Sequence, residues 1–159
     1  TNNDPIELSY QGSTNAMVMI VRNDKVRNAS ADSEQFSVST QLYQENKQVE
    51  KLALGKSVEL KVSVKNRLSA DFVMIEIPIP AGCSYGTTAL PKFRHEVYRE
   101  YRRNKVVIYC TELLAGEHTF SIALEPRFSG SFTLLPTTVE QMYFPEISGN
   151  NALKKVVVE

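Results

Sequence analysis

Residues 57–64, with the sequence SVELKVSV, decide the fold class of this chain. Every second residue of this stretch is apolar, and polar or charged residues stand between them. The apolar members are Val58, Leu60, Val62 and Val64. A period of two is typical of a β-strand that buries one face and exposes the other. The stretch therefore predicts a half-buried strand within a sheet.

The same alternation continues on both sides of this stretch. Alternating residues occupy 36–42, 119–124 and 131–135, and short continuous apolar runs occupy 105–110 and 156–158. Turn-forming glycines separate the runs, among them Gly116, Gly130 and Gly149. A spacing of about 8–15 residues between turns is typical of a sandwich of short strands. Because no helical periodicity is found, the fold class is predicted to be all-β.

Two stretches carry the signals of strand ends and sheet edges. Pro78 and Pro80 interrupt the apolar run at 72–80, and proline cannot donate a hydrogen bond to a neighbouring strand. We therefore expect this strand to leave its sheet, or to lie at an edge, from Pro78 onward. The charged stretch 94–103 alternates Arg and Glu with Tyr. It predicts an exposed edge strand whose charged pairs lie on a solvated face.

The amino-terminal residues 1–35 form a flank that differs from the rest. Residues 6–10 and 16–21, around Gln11-Gly12-Ser13, predict a hairpin, and the polar residues 26–35 predict a linker. The main module is then expected to span residues 36–159. Because the chain begins at Thr1 and not at Met, we expect it to be a piece of a longer protein.

Composition excludes two classes of partner. The chain has 159 residues, and its 18 basic residues balance 18 acidic residues, which gives a net charge of zero. Non-specific nucleic-acid binding needs a surplus of Lys and Arg, so no nucleic-acid partner is expected. No apolar stretch approaches the length of a membrane-spanning helix, so no direct membrane insertion is expected.

The residues that carry chemistry do not form a known site. Cys83, Cys110, His95 and His118 do not contain the closely spaced cysteine pair that is typical of structural zinc, so no metal and no cofactor are predicted. We expect both cysteines to be buried thiols. No nucleophile signature surrounds either cysteine, and residues 82–86 lack the lysine of a phosphate-binding loop. The chain is therefore predicted not to be an enzyme.

One segment, residues 137–149, is unusually rich in large apolar side chains. It places Met142, Tyr143 and Phe144 together, directly before Pro145. One interpretation is a strand end whose large side chains cover the end of the sandwich. The other is an exposed apolar tip that contacts another domain or chain. The sequence leaves both interpretations open.

Several motifs, in order, resemble those of bacterial alpha-2-macroglobulins. Residues 77–82 (IPIPAG), 102–107 (RRNKVV), 113–120 (LLAGEHTF) and 128–132 (FSGSF) resemble consecutive turns and strands of that family. Residues 135–149, with LPT followed by EQMYFPEISG, resemble its most characteristic stretch. The resemblance covers residues 36–159 and is to the last macroglobulin-like domain of these proteins.

This resemblance implies a fold, a function and a set of contact residues. The fold would be an immunoglobulin-like antiparallel β-sandwich. The chain would be the non-catalytic carboxy-terminal domain of an exported protease trap, periplasmic or at the cell surface, in a membrane-anchored parent. Its partners would be the thioester and macroglobulin-like domains of that parent, and target proteases would be reached only through the parent. Met142 aligns with a methionine that is among the groups shielding the thioester, and Tyr143 aligns with the tyrosine next to it. Phe144 and Pro145 complete the same tip, for which interdomain contact or thioester shielding is expected.

A second function remains open at the level of sequence. An immunoglobulin-like module of a cell-surface protein would serve adhesion or carbohydrate binding, with Tyr85, Tyr98 and Tyr101 as a stacking platform. The chain contains no Trp, the larger aromatic residue on which sugar platforms commonly rely.

Overall fold

A computed structural model describes residues 9–13, 17–18, 34–86 and 94–159. Within these ranges the secondary structure consists of β-strands, and no helix long and apolar enough to cross a membrane is found. The strands are β1 (Phe36–Gln44), β2 (Lys47–Gln48), β3 (Lys51–Leu52), β4 (Val58–Asn66), β5 (Ala70–Pro78), β6 (Cys83–Tyr85), β7 (Glu96–Tyr101), β8 (Lys105–Leu113), β9 (Gly116–Pro126), β10 (Gly130–Leu134), β11 (Thr138–Gln141), β12 (Phe144–Asn150) and β13 (Lys154–Val158). The all-β prediction is confirmed. The predicted hairpin at 6–21 and linker at 26–35 lie mostly outside the described residues.

The strands form two five-stranded sheets and one small sheet. The front sheet has the order β2-β1-β4-β9-β6, and the back sheet has the order β12-β11-β5-β8-β7. Every pairing within these two sheets is antiparallel. The small sheet, β10-β13-β3, contains a parallel pair between β13 and β3. The immunoglobulin-like β-sandwich that the motifs imply is therefore confirmed, with this parallel pair as an addition.

One hydrophobic core lies between the front and back sheets. Its fully buried members include Leu60, Phe120 and Ile122 from the front sheet and Ile75 and Ile108 from the back sheet. β4 is a central strand, paired with β1 on one side and β9 on the other. Its alternating apolar residues all point into this core, as the period of two in residues 57–64 predicts.

The chain changes sheets at Pro78, as the prolines predict. The pairing of β5 with β11 ends at Glu76, and Pro78 is the last residue that pairs with β8. The chain then crosses to β6, which pairs with β9 in the front sheet. Gly82 lies in this crossover, and a Cβ atom there would stand 2.3 Å from a ring carbon of Phe132. Any side chain at position 82 would therefore force the Phe132 ring to move.

Strand β7 lies at the edge of the back sheet, as predicted, but its charges are not all solvated. The side chains of Glu96 and Arg99 are 0% and 4% exposed and form an ion pair with a Nε–Oε1 distance of 2.7 Å. A register irregularity between Glu96 and Tyr98 brings the side chains of Glu96 and Arg99 onto the inner face, although these two residues are three positions apart. The expectation of a wholly solvated charged face was wrong, because the sequence does not reveal this bulge.

The two cysteines are free thiols on opposite sheets. Cys83 belongs to β6 and Cys110 to β8, and no disulfide joins them. Burial raises the pKa of Cys83 to about 11 and that of Cys110 to about 12. Since the thiolate is the reactive form, both side chains are poor nucleophiles at neutral pH. The prediction of buried thiols holds fully for Cys110, whereas Cys83 is half-buried.

Candidate interdomain contact surface

The hairpin between β11 and β12 forms a protruding turn. Gln141 pairs with Phe144, so Met142 and Tyr143 are the two turn residues. The register then shifts by three residues, and Pro145 falls in the unpaired part of β12. Proline suits this position because its nitrogen carries no hydrogen to donate. The local sequence MYFP therefore produces a short turn with three large side chains at its end.

These side chains do not fill the core. Met142 is 43% exposed, Tyr143 is 70% exposed and Phe144 is 57% exposed. Pro145 is also exposed. Of the two interpretations of this segment, the exposed tip is the one that agrees with the structure. Large apolar side chains grouped on a surface commonly mark a site of contact with another protein.

Phe72 joins this turn from the neighbouring strand β5. Its ring centroid lies 5.2 Å from that of Tyr143 in an edge-to-face arrangement, and the N–H of Met142 donates to its carbonyl oxygen at 2.8 Å. Such an aromatic pair contributes about 0.5–1.5 kcal/mol beyond the burial of its area. We define the tip cluster as Phe72, Met142, Tyr143 and Phe144. Sequence reasoning missed Phe72, since it belongs to an apolar run that predicts continuous burial.

The backbone conformation of Phe72 is unusual. Its φ angle is +50°, a conformation that is rare for a bulky L-residue and costs about 1–3 kcal/mol. The strand alternation breaks here, because Ala70 and Val73 are both buried while Phe72 between them is exposed. The strained residue lies beside the β11–β12 turn, where the alternation of β5 changes side between Ala70 and Phe72.

The end of the sandwich that carries the tip cluster is tied together by Asn66. The buried side chain of Asn66 donates to the carbonyl oxygens of Leu113 and Leu114 at 2.6 and 3.2 Å. Gln35 Nε2 in turn donates to Asn66 Oδ1 at 2.6 Å and to the carbonyl oxygen of Leu68. These bonds join the β4–β5 and β8–β9 turns, whose residues Leu68 and Leu114 are exposed. These hydrogen bonds therefore hold in place the backbone that carries the exposed apolar side chains at this end.

The three tyrosines of the alternative platform do not share one face. Tyr85 and Tyr101 meet at the open side between the sheets, with ring centroids 5.0 Å apart. Tyr85 donates its hydroxyl to the carbonyl oxygen of Arg102, and burial raises its pKa to about 12. Tyr98 lies on the outer face of the back sheet, stacked on Tyr109 at 6.1 Å. The structure thus brings two of the three tyrosines together and separates the third.

Comparison with protein families gives one match. The family model of the bacterial alpha-2-macroglobulin MG10 domain matches residues 30–146. No curated protein matches the chain in sequence.

Solved structures share the fold at low sequence identity. Native alpha-2-macroglobulin from Escherichia coli, spanning domain MG7 to the carboxy terminus, is 14% identical, with a TM-score of 0.70 over 85% of this chain and 24% of that chain. Salmonella alpha-2-macroglobulin reacted with methylamine is 17% identical, with a TM-score of 0.67 over 83% and 10%. A cohesin module from Clostridium perfringens is 12% identical, with a TM-score of 0.50 over 80% and 98%.

These comparisons place the chain in a family. At such identities the structural likeness shows the fold alone, and the chain spans only 10–24% of the length of these macroglobulins. The family model, in contrast, covers most of the 159 residues, including the β11–β12 turn and Phe72. The chain therefore belongs to the bacterial alpha-2-macroglobulin MG10 domain family.

Proposed function

We propose that this chain is the non-catalytic carboxy-terminal domain of a bacterial alpha-2-macroglobulin, and that it packs against the thioester domain of its parent protein. The observation that carries the proposal is the tip cluster, in which four large apolar side chains are exposed together on one end of the sandwich. Contact with another domain would remove this apolar surface from water, which is favourable by about 25 cal/mol per Å².

The tip cluster is suited to excluding water from a reactive bond. A thioester survives only where water and amines cannot approach it, and a closed apolar environment provides that exclusion. The flexible thioether of Met142 adapts to an irregular surface, and the rings of Tyr143 and Phe144 add area. The bond from Met142 to Phe72 holds the turn in place before contact. The role of these side chains is contact and shielding, and none of them makes or breaks a bond.

The parent protein would act as a protease trap in which this domain moves after cleavage. Solved Escherichia coli alpha-2-macroglobulins have been activated by trypsin and by porcine elastase, and the Salmonella protein has been reacted with methylamine. By analogy, proteases would cut the parent of this chain, and the domain would then change its packing on the thioester domain. Such a parent would be exported to the periplasm or the cell surface, anchored in the membrane.

Reaction of the full-length parent with methylamine tests this function. A live thioester predicts one amine adduct by intact mass and one newly released thiol. Met142→Ala should raise the rate of thiol release by roughly tenfold, which corresponds to about 1.4 kcal/mol less protection. Phe128→Ala is the control, because Phe128 is also a large exposed apolar residue but lies in the β9–β10 turn, at the opposite end of the sandwich. An unchanged rate in Met142→Ala would contradict the shielding role.

A further inference from the structure

We propose that the contact surface continues from the tip cluster across the outer face of the back sheet to Tyr98, and that a neighbouring domain of the parent covers it with an apolar surface carrying a Lys or Arg opposite Glu140. The inference deepens the proposed function, and the nature of the partner rests on that function. The extended surface itself rests on the strand register, which is independent of the tip cluster.

Strand register places one row of side chains across the back sheet. Tyr98 of β7 pairs with Tyr109 of β8, Tyr109 with Met74 of β5, and Met74 with Glu140 of β11. Paired residues in antiparallel strands project to the same face, and this face is opposite to the buried Ile75 and Ile108. With strands about 4.8 Å apart, the row crosses about 14 Å of the outer surface.

This row is continuous with the tip cluster. Phe72 and Met142 are joined by a backbone hydrogen bond and form the next position along the same two strands, β5 and the end of β11. At the other end of the row, the Tyr98 side chain is 59% exposed and stacks on Tyr109 with an interplanar angle of 27°. We define the outer strip as Tyr98, Tyr109, Met74, Phe72 and Met142.

The other half of the same face has its charges paired within the domain. Lys105 Nζ lies 2.6 Å from Glu76 Oε1, and Arg102 Nη2 lies 2.9 Å from Glu100 Oε2. Between these pairs Val107 is buried although it points outward. This half of the face therefore needs no further partner. The outer strip, in contrast, leaves apolar and aromatic surface in water.

Glu140 indicates the chemistry of the partner. It lies at the end of the row, beside Met74 and Ser148, and no cation among the described residues is within salt-bridge distance of it. A carboxylate that becomes buried without a cation is strongly destabilising. We therefore expect a surface that covers the outer strip and Glu140 to supply a Lys or Arg opposite this carboxylate. A neighbouring domain of the parent is the expected partner, since this chain spans only 10–24% of the length of the macroglobulins that share its fold.

Cysteine labelling of the full-length parent tests the proposal. Tyr98→Cys reports on the outer strip, Tyr143→Cys on the tip cluster, and Glu50→Cys, in the exposed β2–β3 loop, is the accessible control. Each variant reacts with a maleimide, and the labelled peptide is quantified by mass spectrometry relative to the urea-unfolded parent. We expect Tyr98→Cys and Tyr143→Cys to react at least about tenfold more slowly than Glu50→Cys, as burial in an interface predicts.

The outcomes separate the outer strip from the tip cluster. Rapid labelling of Tyr98→Cys with slow labelling of Tyr143→Cys would overturn the outer strip and leave the proposed function standing. Rapid labelling of both would overturn both. Slow labelling of Tyr98→Cys with rapid labelling of Tyr143→Cys would support burial of the outer strip and contradict burial of the turn at Tyr143. Protection that increases with protein concentration would indicate a second copy as the occupant and would overturn the choice of a neighbouring domain.

A charge reversal tests the expected cation. In the Tyr98→Cys background, Glu140→Lys should restore rapid labelling, because two like charges would then face each other across the interface. Glu140→Gln should have a smaller effect. Glu117→Lys, at an exposed position of the front sheet, is the matched control and should leave the protection unchanged. If Glu140→Lys leaves Tyr98→Cys protected, the partner carries no cation at this position and this part of the proposal is overturned.

Discussion

At the scale of single residues, the strained backbone of Phe72 is the feature most directly tied to the contact surface. Its φ angle is positive, and its exposed ring contacts that of Tyr143 edge to face. Strand alternation back from the buried Val73 already places residue 72 on the outer face with Met74, and the residue that departs from the alternation is the buried Ala70. The strain therefore lies at the point where β5 changes the side on which it buries its residues.

The strain at Phe72 can be measured by comparing two substitutions. Phe72→Ala and Phe72→Gly both remove the ring, but only glycine adopts a positive φ angle without a steric penalty. We expect Phe72→Gly to be more stable than Phe72→Ala by about 1 kcal/mol in urea unfolding. Equal stability, or a more stable alanine variant, would show that the backbone at position 72 relaxes and carries no strain.

Three acidic side chains, of which Cys110 is buried and two are partly buried, predict a loss of stability at alkaline pH. Burial raises the pKa of Cys83 to about 11, and that of Cys110 and Tyr85 to about 12. In the unfolded chain a thiol titrates near pH 8.5 and a tyrosine near pH 10, so the folded state binds more protons between these values and about 12. The stability that these groups contribute is complete below about pH 8.5 and is lost as the pH rises toward 12.

The urea midpoint as a function of pH measures this loss. It should be flat from pH 7 to about 8 and fall steadily toward pH 12. Cys110→Val removes the most buried thiol and should make the decline less steep. A decline of the same steepness in Cys110→Val would show that this thiol does not contribute to it.

At the scale of elements, strand β7 is attached to the front sheet by a buried ion pair. The Arg99 guanidinium forms two hydrogen bonds of 2.7 Å with the Glu96 carboxylate, and its Nη1 donates to the carbonyl oxygen of Ser121 in β9 at 3.0 Å. An edge strand that would otherwise pair only with β8 is thereby joined to the opposite sheet. The bulge between Glu96 and Tyr98 is what makes this possible.

Removal of one partner of this pair should be costly. Arg99→Met leaves a buried carboxylate without its cation and is expected to destabilise the domain by about 3–5 kcal/mol in urea unfolding. The double variant with Glu96→Leu should recover much of this loss, because it removes the second charge. Lys56→Met, which breaks the exposed pair with Glu45, should cost less than about 1 kcal/mol. Similar losses from Arg99→Met and Lys56→Met would contradict the burial of the first pair.

At the scale of the whole molecule, the back sheet has two different outer halves. In one half, the charged side chains form ion pairs within the domain, Glu76 with Lys105 and Glu100 with Arg102. The other half carries the outer strip and is apolar. In the proposed packing, one part of the domain's surface stays in water and another part lies against a neighbouring domain. The division within a single sheet face provides both, and the labelling experiment on Tyr98→Cys determines where the boundary lies.

The sequence predicts the sandwich well because strand alternation directly encodes burial. The alternating residues of β1, β4 and β9 and the proline signal at Pro78 are local patterns, and each is found in the structure. The exposed position of Phe72 also agrees with alternation, since Val73 and Ile75 are buried, but its positive φ angle leaves no local signal. The burial of Glu96 and Arg99 depends on a bulge that leaves no local signal.

The same distinction between local patterns and features that depend on distant strands applies to the candidate site. Met142, Tyr143 and Phe144 are adjacent in sequence, so their grouping at one turn follows from the sequence, although their exposure does not. The relation between Tyr98 and Met142 arises from the register of four strands. These two residues are separated by a long stretch of chain, and only the order β11-β5-β8-β7 brings them to the same face.

The hydrogen bonds of Gln35 have a mechanical consequence. This residue directly precedes β1 and holds the β4–β5 turn, at the same end of the sandwich as the tip cluster. A tension applied through the polypeptide before Glu34 would therefore act on the β4–β5 turn through these two bonds and on Phe36, the first buried residue of the core. Because the β4–β5 turn leads directly into β5 and Phe72, the same pull would be transmitted to the tip cluster.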